Sequence, residues 1–238
     1  MPYVTGCVIP VERSKHGRFA QEAATAAPIL RELGASSVVD AMGDDVPKGV
    51  STDFYRAVAA GEGEDVAFGW VVWPDKATCD AAETAMRTEP RREMSALAFD
   101  GRRMILGGFE PVVDEGPGGA FGYVDGFVLA VPTHRREAFV RHCREAALVV
   151  LRHGATRHVE CWGVDMPSGT LTDFPRSVKA EPGETVCFSW IEWPDKATRD
   201  VGQKGIVAQM QTAMADDPMP FDGRRMIHGG FAVVARNG

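Results

Sequence analysis

Phe188-Ser189-Trp190-Ile191-Glu192-Trp193-Pro194-Asp195-Lys196-Ala197-Thr198 repeats, 120 residues later, the pattern of Phe68-Gly69-Trp70-Val71-Val72-Trp73-Pro74-Asp75-Lys76-Ala77-Thr78. Each copy is an aromatic, apolar run that meets Pro-Asp and then turns charged, the pattern of a strand feeding a helix. The acidic residue after the proline suits the positive end of the helix dipole. The same spacing recurs at Tyr3-Val4-Thr5-Gly6 with Tyr123-Val124-Asp125-Gly126, Gly34-Ala35 with Gly154-Ala155, and Thr52-Asp53-Phe54 with Thr172-Asp173-Phe174. Further on the offset becomes 122: Phe99-Asp100-Gly101-Arg102-Arg103-Met104-Ile105 returns as Phe221-Asp222-Gly223-Arg224-Arg225-Met226-Ile227. The second copy therefore gains two residues in the helix or loop before this motif. A period this long, present twice, is a duplicated domain rather than a solenoid.

Within the second copy, Tyr123 to Val131 reads as a strand. Phe139, Cys143, Ala146, Ala147, Val150 and Leu151 then fall at helical spacing, with Gly154 as the stop. In the first copy Phe19, Ala23, Ala26, Ala27, Leu30 and Leu33 repeat the helix, and Pro28 is expected to kink or interrupt it. Ala155 to Trp162, Thr185 to Trp193 and Arg224 to Val234 complete the strands, with Gly229-Gly230 marking a bulge or a close backbone approach. Turn signals at Met166-Pro167-Ser168-Gly169 and Glu181-Pro182-Gly183-Glu184 leave Thr170 to Val178 as a possible extra strand. The order strand–helix–strand–strand–helix–strand is ferredoxin-like. It leaves one sheet face bare, and two copies closing on each other would cover both. The expected architecture is α+β: residues 1–113 and 121–238 as two ferredoxin-like repeats, 114–120 as a Gly/Pro linker, together forming an intramolecular dimeric α/β barrel.

The motifs Tyr123-Val124-Asp125-Gly126-Phe127, Glu160-Cys161-Trp162, Thr172-Asp173-Phe174 and Phe188-Ser189-Trp190-Ile191-Glu192 resemble those of the YbaA-like bacterial proteins. So does Phe221 to Ile227 with Gly229-Gly230-Phe231. That family, domain of unknown function 1428, belongs to the dimeric α/β-barrel superfamily, and the resemblance covers nearly the whole chain. It implies the barrel fold and no particular activity. The superfamily includes haem-degrading and antibiotic-synthesis monooxygenases, lactone isomerases and ligand-sensing domains, and fold alone does not choose among them.

Composition narrows the classes. A net charge of −7 argues against a polyanion binder, so no nucleic-acid partner is expected. No apolar run approaches the roughly 20 residues a membrane helix needs. The opening Met1-Pro2-Tyr3-Val4 shows no basic-then-apolar signal, and the expected location is the cytoplasm. Cys7, Cys79, Cys143, Cys161 and Cys187 are odd in number and scattered, and read as buried free thiols. No phosphate-binding loop, dinucleotide fingerprint or nucleophile elbow is present.

Comparing the copies isolates the candidate site. With side chains alternating along each strand, one face of the second copy is expected to collect Asp125, Phe127 and Leu129, then Thr156, His158, Glu160 and Trp162. Phe188, Trp190 and Glu192, with Met226 and His228, are expected to join them. Asp125, His158, Glu192 and His228 would converge at one end, where the first copy has Thr5, Val38, Val72 and Leu106; only Asp40 matches the acidity of Glu160. Two imidazoles and two carboxylates suit a divalent metal or an acid–base pair, and equally suit satisfied polar groups at a sheet end. Glu160, Trp162 and Trp190 would line a pocket for a flat ligand. Neither a cofactor nor a metal is specified. The functional expectation is small-molecule binding between the two sheets; a monooxygenase- or isomerase-type enzyme using the four polar residues, or an interaction module assembling through sheet edges, are the alternatives. Duplication replaces a homodimer or adds to one, so oligomerisation is not required for the barrel.

Overall fold

The computed structural model describes residues 1–88, 98–213 and 219–238. The first repeat comprises β1 (Tyr3–Glu12), α1 (His16–Glu32), β2 (Ser37–Asp45), α2 (Phe54–Ala57), β3 (Glu64–Trp73), α3 (Lys76–Thr88) and β4 (Ile105–Glu115). The second comprises β5 (Tyr123–Pro132), α4 (Arg136–Arg152), β6 (Arg157–Asp165), α5 (Phe174–Ser177), β7 (Glu184–Trp193), α6 (Lys196–Ala213) and β8 (Ile227–Asn237). Local chemistry accounts for the boundaries. Asp195 Oδ1 accepts the Thr198 N–H at 2.7 Å and opens α6, as Asp75 does for Thr78 at 2.8 Å before α3. Gly34 and Gly154, at φ +103° and +102°, turn the chain out of α1 and α4. Of the expected kink or interruption at Pro28, the interruption does not occur: α1 continues through it. Pro28 and Ala24 both lie on the exposed face, where the carbonyl that loses its partner is open to solvent.

The strands close in the order β1-β3-β2-β8-β5-β7-β6-β4, every neighbouring pair antiparallel. Exchanging the repeats moves each strand halfway round this order, so an approximate twofold runs along the barrel axis. Pairings β2–β8 and β4–β6 join the halves. Asp114 and Glu115 lie within β4, opposite Val159 and His158, so the connection between strands begins at Gly116. Among the described residues each strand has two neighbours, so none of these strands is left as a sheet edge. The two-residue gain falls between Lys196 and Phe221, a span that includes 214–218, outside the described residues.

Aromatic rings fill the barrel. Phe68 and Phe188, one from each repeat, stack with centroids 4.5 Å apart and planes parallel, and Trp70 and Trp190 stack at 4.5 Å beside them. Gly126 and Gly6 make this possible: a Cβ there would lie 2.9 Å from the Phe68 ring and 3.0 Å from the Phe188 ring, respectively. At one end α2 and α5 plug the barrel. Phe54 packs edge-on to Phe68 and Phe231, and Phe174 edge-on to Phe109 and Phe188. Thr52 and Thr172 donate their hydroxyls across the axis to the Ser177 and Ala57 carbonyls. Residues 170–178 are therefore not a strand. Asp173 Oδ1 accepts the Arg176 N–H at 2.9 Å and Pro175 presets the first turn, which makes α5. The four longer helices cover the outside of the barrel over separate apolar layers.

Phe188→Ala should destabilise the protein by about 3–5 kcal/mol, and Gly126→Ala by about 1–3 kcal/mol through displacement of the Phe68 ring. Urea unfolding followed by tryptophan fluorescence measures both. A loss below about 1 kcal/mol for Phe188→Ala would refute the packing account.

Candidate functional site

The expected polar residues divide between the two faces of the sheet. Residues paired across antiparallel strands share a face. Val124 pairs with Glu192, Gly126 with Trp190, and Arg157 with Glu192, so Glu192 and Trp190 face the barrel interior. Asp125 and His158 pair with Ile191, Glu160 with Ser189, Trp162 with Cys187, and His228 with Phe127, which puts all five on the helix-facing side. The expected convergence of Asp125, His158, Glu192 and His228 does not form, because β7 presents the opposite parity to the one expected. A one-residue change of phase transfers every side chain of a strand to its other face.

Asp125, 2% exposed, is fully engaged. Oδ2 accepts Trp193 Nε1 and Gln203 Nε2, each at 2.9 Å, while Arg199 Nε and Nη2 hold Oδ1 at 2.9 and 2.8 Å. Arg199 Nη1 continues to Asp45 of β2 at 2.6 Å, so one arginine ties α6 and β5 to the first repeat. Beside it Tyr123 donates its hydroxyl to Asp44 at 3.0 Å. In the first copy the same seat holds neutral groups: Trp73 Nε1 donates to Thr5 Oγ1 at 3.1 Å, and Cys79 replaces Arg199 with its sulfur 3.5 Å from that hydroxyl. The acid and its arginine exchange together for Thr and Cys. Arg199 is the partner that the copy comparison, restricted to strands, passed over.

Glu160 is the centre of a second buried group. Ser189 donates its hydroxyl to Oε2, and His158 Nε2 lies 2.9 Å from Oε1. His158 Nδ1 is buried without a partner. Burial first, and then the Glu160 charge, push the Cys143 thiol far above its usual range. Cys79, Cys143, Cys161 and Cys187 are buried free thiols, and Cys7 is partly buried. Trp162 packs outside the barrel against Phe139, with Arg136 over its ring. His228 stands at the surface with its ring on Phe127; desolvation lowers its pKa, with Asp125 opposing. Among the described residues, no three His, Cys, Asp or Glu side chains form a metal set.

Asp40 has none of the partners of Glu160. Val38, Gly69 and Ala23 stand where the second copy has His158, Ser189 and Cys143, and the Asp40 carboxyl makes no side-chain hydrogen bond among the described residues. Burial pushes its pKa to about 6.

The interior residue is different again. Glu192 is 2% exposed and lies above the Trp70–Trp190 pair, where the first copy has Val72. Its Oε1 accepts Trp190 Nε1 at 3.1 Å. The facing cation, Arg157 Nη1, is 3.7 Å away, and Arg157 is already bound to Asp114 through Nε and Nη2 at 2.7 and 2.8 Å. Oε2 accepts no hydrogen bond from the described residues. Burial raises the Glu192 pKa, with the Trp190 N–H and the Arg157 charge opposing. Above it the connection between repeats crosses the barrel end. Phe121 lies parallel to Trp70 within 11° at a centroid distance of 6.5 Å, and Arg236 sits 4.8 Å from the Phe121 ring.

A closed eight-stranded barrel of two βαββαβ repeats, with helices outside, is a dimeric α/β barrel whose two halves here belong to one chain. The family described as "Protein of unknown function (DUF1428)" matches residues 2–101 and again 122–223, and the chain belongs to it. The uncharacterized protein YbaA of Escherichia coli is 47% identical over 112 residues, which are 47% of this chain and 96% of YbaA. Among solved structures, a proposed monooxygenase of Fusobacterium nucleatum aligns with TM-score 0.56 and 9% identity over 100% of this chain and 94% of its own. Another from Lactobacillus acidophilus aligns at 0.55 and 10% identity, over 99% and 95%. At such identities the likeness is one of fold alone. No described helix is long and apolar enough to cross a membrane.

Arg199→Ala leaves Asp125 buried and unpaired and should cost about 3–5 kcal/mol. Adding Asp125→Thr should restore at least about 1 kcal/mol of that loss, since the acid and its arginine are coupled. A denaturant-unfolding double-mutant cycle reads this, and strict additivity would refute the coupled exchange.

For Asp40 the pH effect has a definite sign. Its native pKa, about 6, lies above the unfolded value of about 3.9, so the native state holds the proton more tightly. Stability should therefore fall as pH rises from about 4 to about 6 and then level off. Asp40→Asn should remove that slope and add about 1–3 kcal/mol at pH 8. An unchanged pH–stability curve in Asp40→Asn would contradict the assignment.

Proposed function

We propose that the protein binds a small molecule at the barrel end crossed by the connection between repeats, with Glu192 as the polar anchor and Trp70 and Trp190 as the floor. The observation that carries this reading is Glu192 itself: a carboxylate 2% exposed, inside an aromatic barrel, hydrogen-bonded among the described residues only to Trp190 and with Arg157 at 3.7 Å, at a position where the other copy has Val72. A desolvated acid with so few hydrogen bonds costs stability, and a bound donor would offset that cost. Asp125, by contrast, has an arginine and two neutral donors, and Glu160 has Ser189 and His158, so both are accounted for as braces of the fold. The four-residue enzymatic set is not proposed, since its members lie on opposite faces of the sheet.

A thermal-unfolding screen against planar small molecules tests the reading. At about a hundredfold excess over Kd a ligand contributes about 2.7 kcal/mol, which for a chain of this length is an upward shift of roughly 5–10 °C. Glu192→Val, which restores the residue of the first copy, should fold and lose the shift. A ligand that stabilises Glu192→Val as strongly as the parent would refute the site.

A further inference from the structure

We propose that the ligand of this site is a planar cation, an amidinium or a protonated aminoheterocycle, that lies against the Trp70–Trp190 pair and donates an N–H to Glu192 Oε2. The inference rests on the binding reading above and adds the chemical class. Three observations point to it.

The first is charge accounting inside the barrel end. Arg157 is committed to Asp114 through two short bonds, and reaches Glu192 Oε1 only at 3.7 Å. Arg236 is exposed and bonds the Gly119 and Phe121 carbonyls at 3.2 and 3.5 Å, so its charge reaches Glu192 only at longer range and without a hydrogen bond. Glu192 is thus a nearly buried acid with one indole N–H, an ion pair to Arg157 at 3.7 Å and the more remote charge of Arg236, and with no hydrogen bond from either guanidinium. The group that completes it is a positively charged donor, because a charge-assisted hydrogen bond is about twice as strong as a neutral one.

The second is shape. Trp70, Trp190 and Phe121 present nearly parallel rings, with planes within 24° for the first pair and 11° for Trp70 with Phe121. Such faces favour a flat partner, and aromatic faces attract cations. The third is the cover. Phe121 is only partly buried, and the connection that carries it has Gly116, Gly118 and Gly119 at positive φ, a backbone bent back over the mouth rather than built into a strand. Trp70 and Trp190 are 2% and 1% exposed, so the ligand would enter by moving that one ring, which lies outside the strands.

Isothermal titration of the full chain at pH 8 with benzamidine and with benzamide, its neutral isostere, tests the class. Benzamidine should bind at least about tenfold more tightly, quench tryptophan fluorescence saturably, and lose that advantage in both Glu192→Val and Glu192→Gln. Using two variants guards against a folding defect in either one. Phe121→Ala should speed benzamidine association and dissociation together. Equal affinity for the two compounds, or benzamidine binding unchanged in both Glu192 variants, overturns the cation assignment. Equal binding that the Glu192 variants abolish would do so while leaving the barrel end as a binding site. Binding by neither compound overturns the class, whereas the site itself stands or falls by the wider thermal screen.

Discussion

The contact between Phe68 and Phe188 sets the terms for the rest of the molecule. Two rings from different repeats lie parallel on the barrel axis, and each fills the space left by a glycine, Gly126 or Gly6, in the first strand of the opposite repeat. That arrangement fixes how closely the two sheets approach, and the stacked tryptophans and the plugging phenylalanines follow from the same spacing. A close-packed aromatic interior leaves little freedom for polar groups. Those that occur there, or just outside, have to be satisfied by specific partners or borne at a cost.

Duplication explains how different solutions coexist. One repeat corresponds in length to the whole of YbaA, 96% of which aligns with about half of this chain. A single repeat leaves a bare sheet face, so a second is required to cover it. Once both reside in one chain, each position can change on one side only. Asp125 with Arg199 replaces Thr5 with Cys79, Glu160 gains His158, Ser189 and Cys143 while Asp40 stays alone, and Glu192 replaces Val72. Two of these exchanges bring their partners with them. The third brings Arg157, where the first copy has Ser37, to within 3.7 Å of Glu192 but without a hydrogen bond.

The repeat, the strand order, the helix starts at Asp75 and Asp195 and the stops at Gly34 and Gly154 were legible in the sequence because each depends on local chemistry repeated twice. Alternation within a strand was legible too. What it lacks is the phase between strands, which is a matter of long-range pairing: Val124 opposite Glu192 rather than Asp125 opposite Glu192 decides which residues meet. The same limit affected Thr170 to Val178, where a β-like composition yields to the Asp173 cap and the Thr172 bond across the axis. Arg199 and Arg236 passed unnoticed for another reason. Their importance comes from the residues they reach, Asp45 and Asp125 in one case and the connection in the other, and none of these is near them in sequence.

The closing pairings β2–β8 and β4–β6 also impose an order on synthesis. The last strand of the second repeat, Ile227–Asn237, pairs with Ser37–Asp45, so the ring shuts only after the whole second repeat has been made. At roughly 5–20 residues per second the first repeat waits on the order of 6–24 s for the second. During that interval its aromatic face is open and β2 and β4 are free edges, the state in which nascent sheets recruit one another. The two repeats of a nascent chain thus depend on each other, and a newly made first repeat has its own second repeat, tethered a few residues away, as the nearest competitor to aggregation.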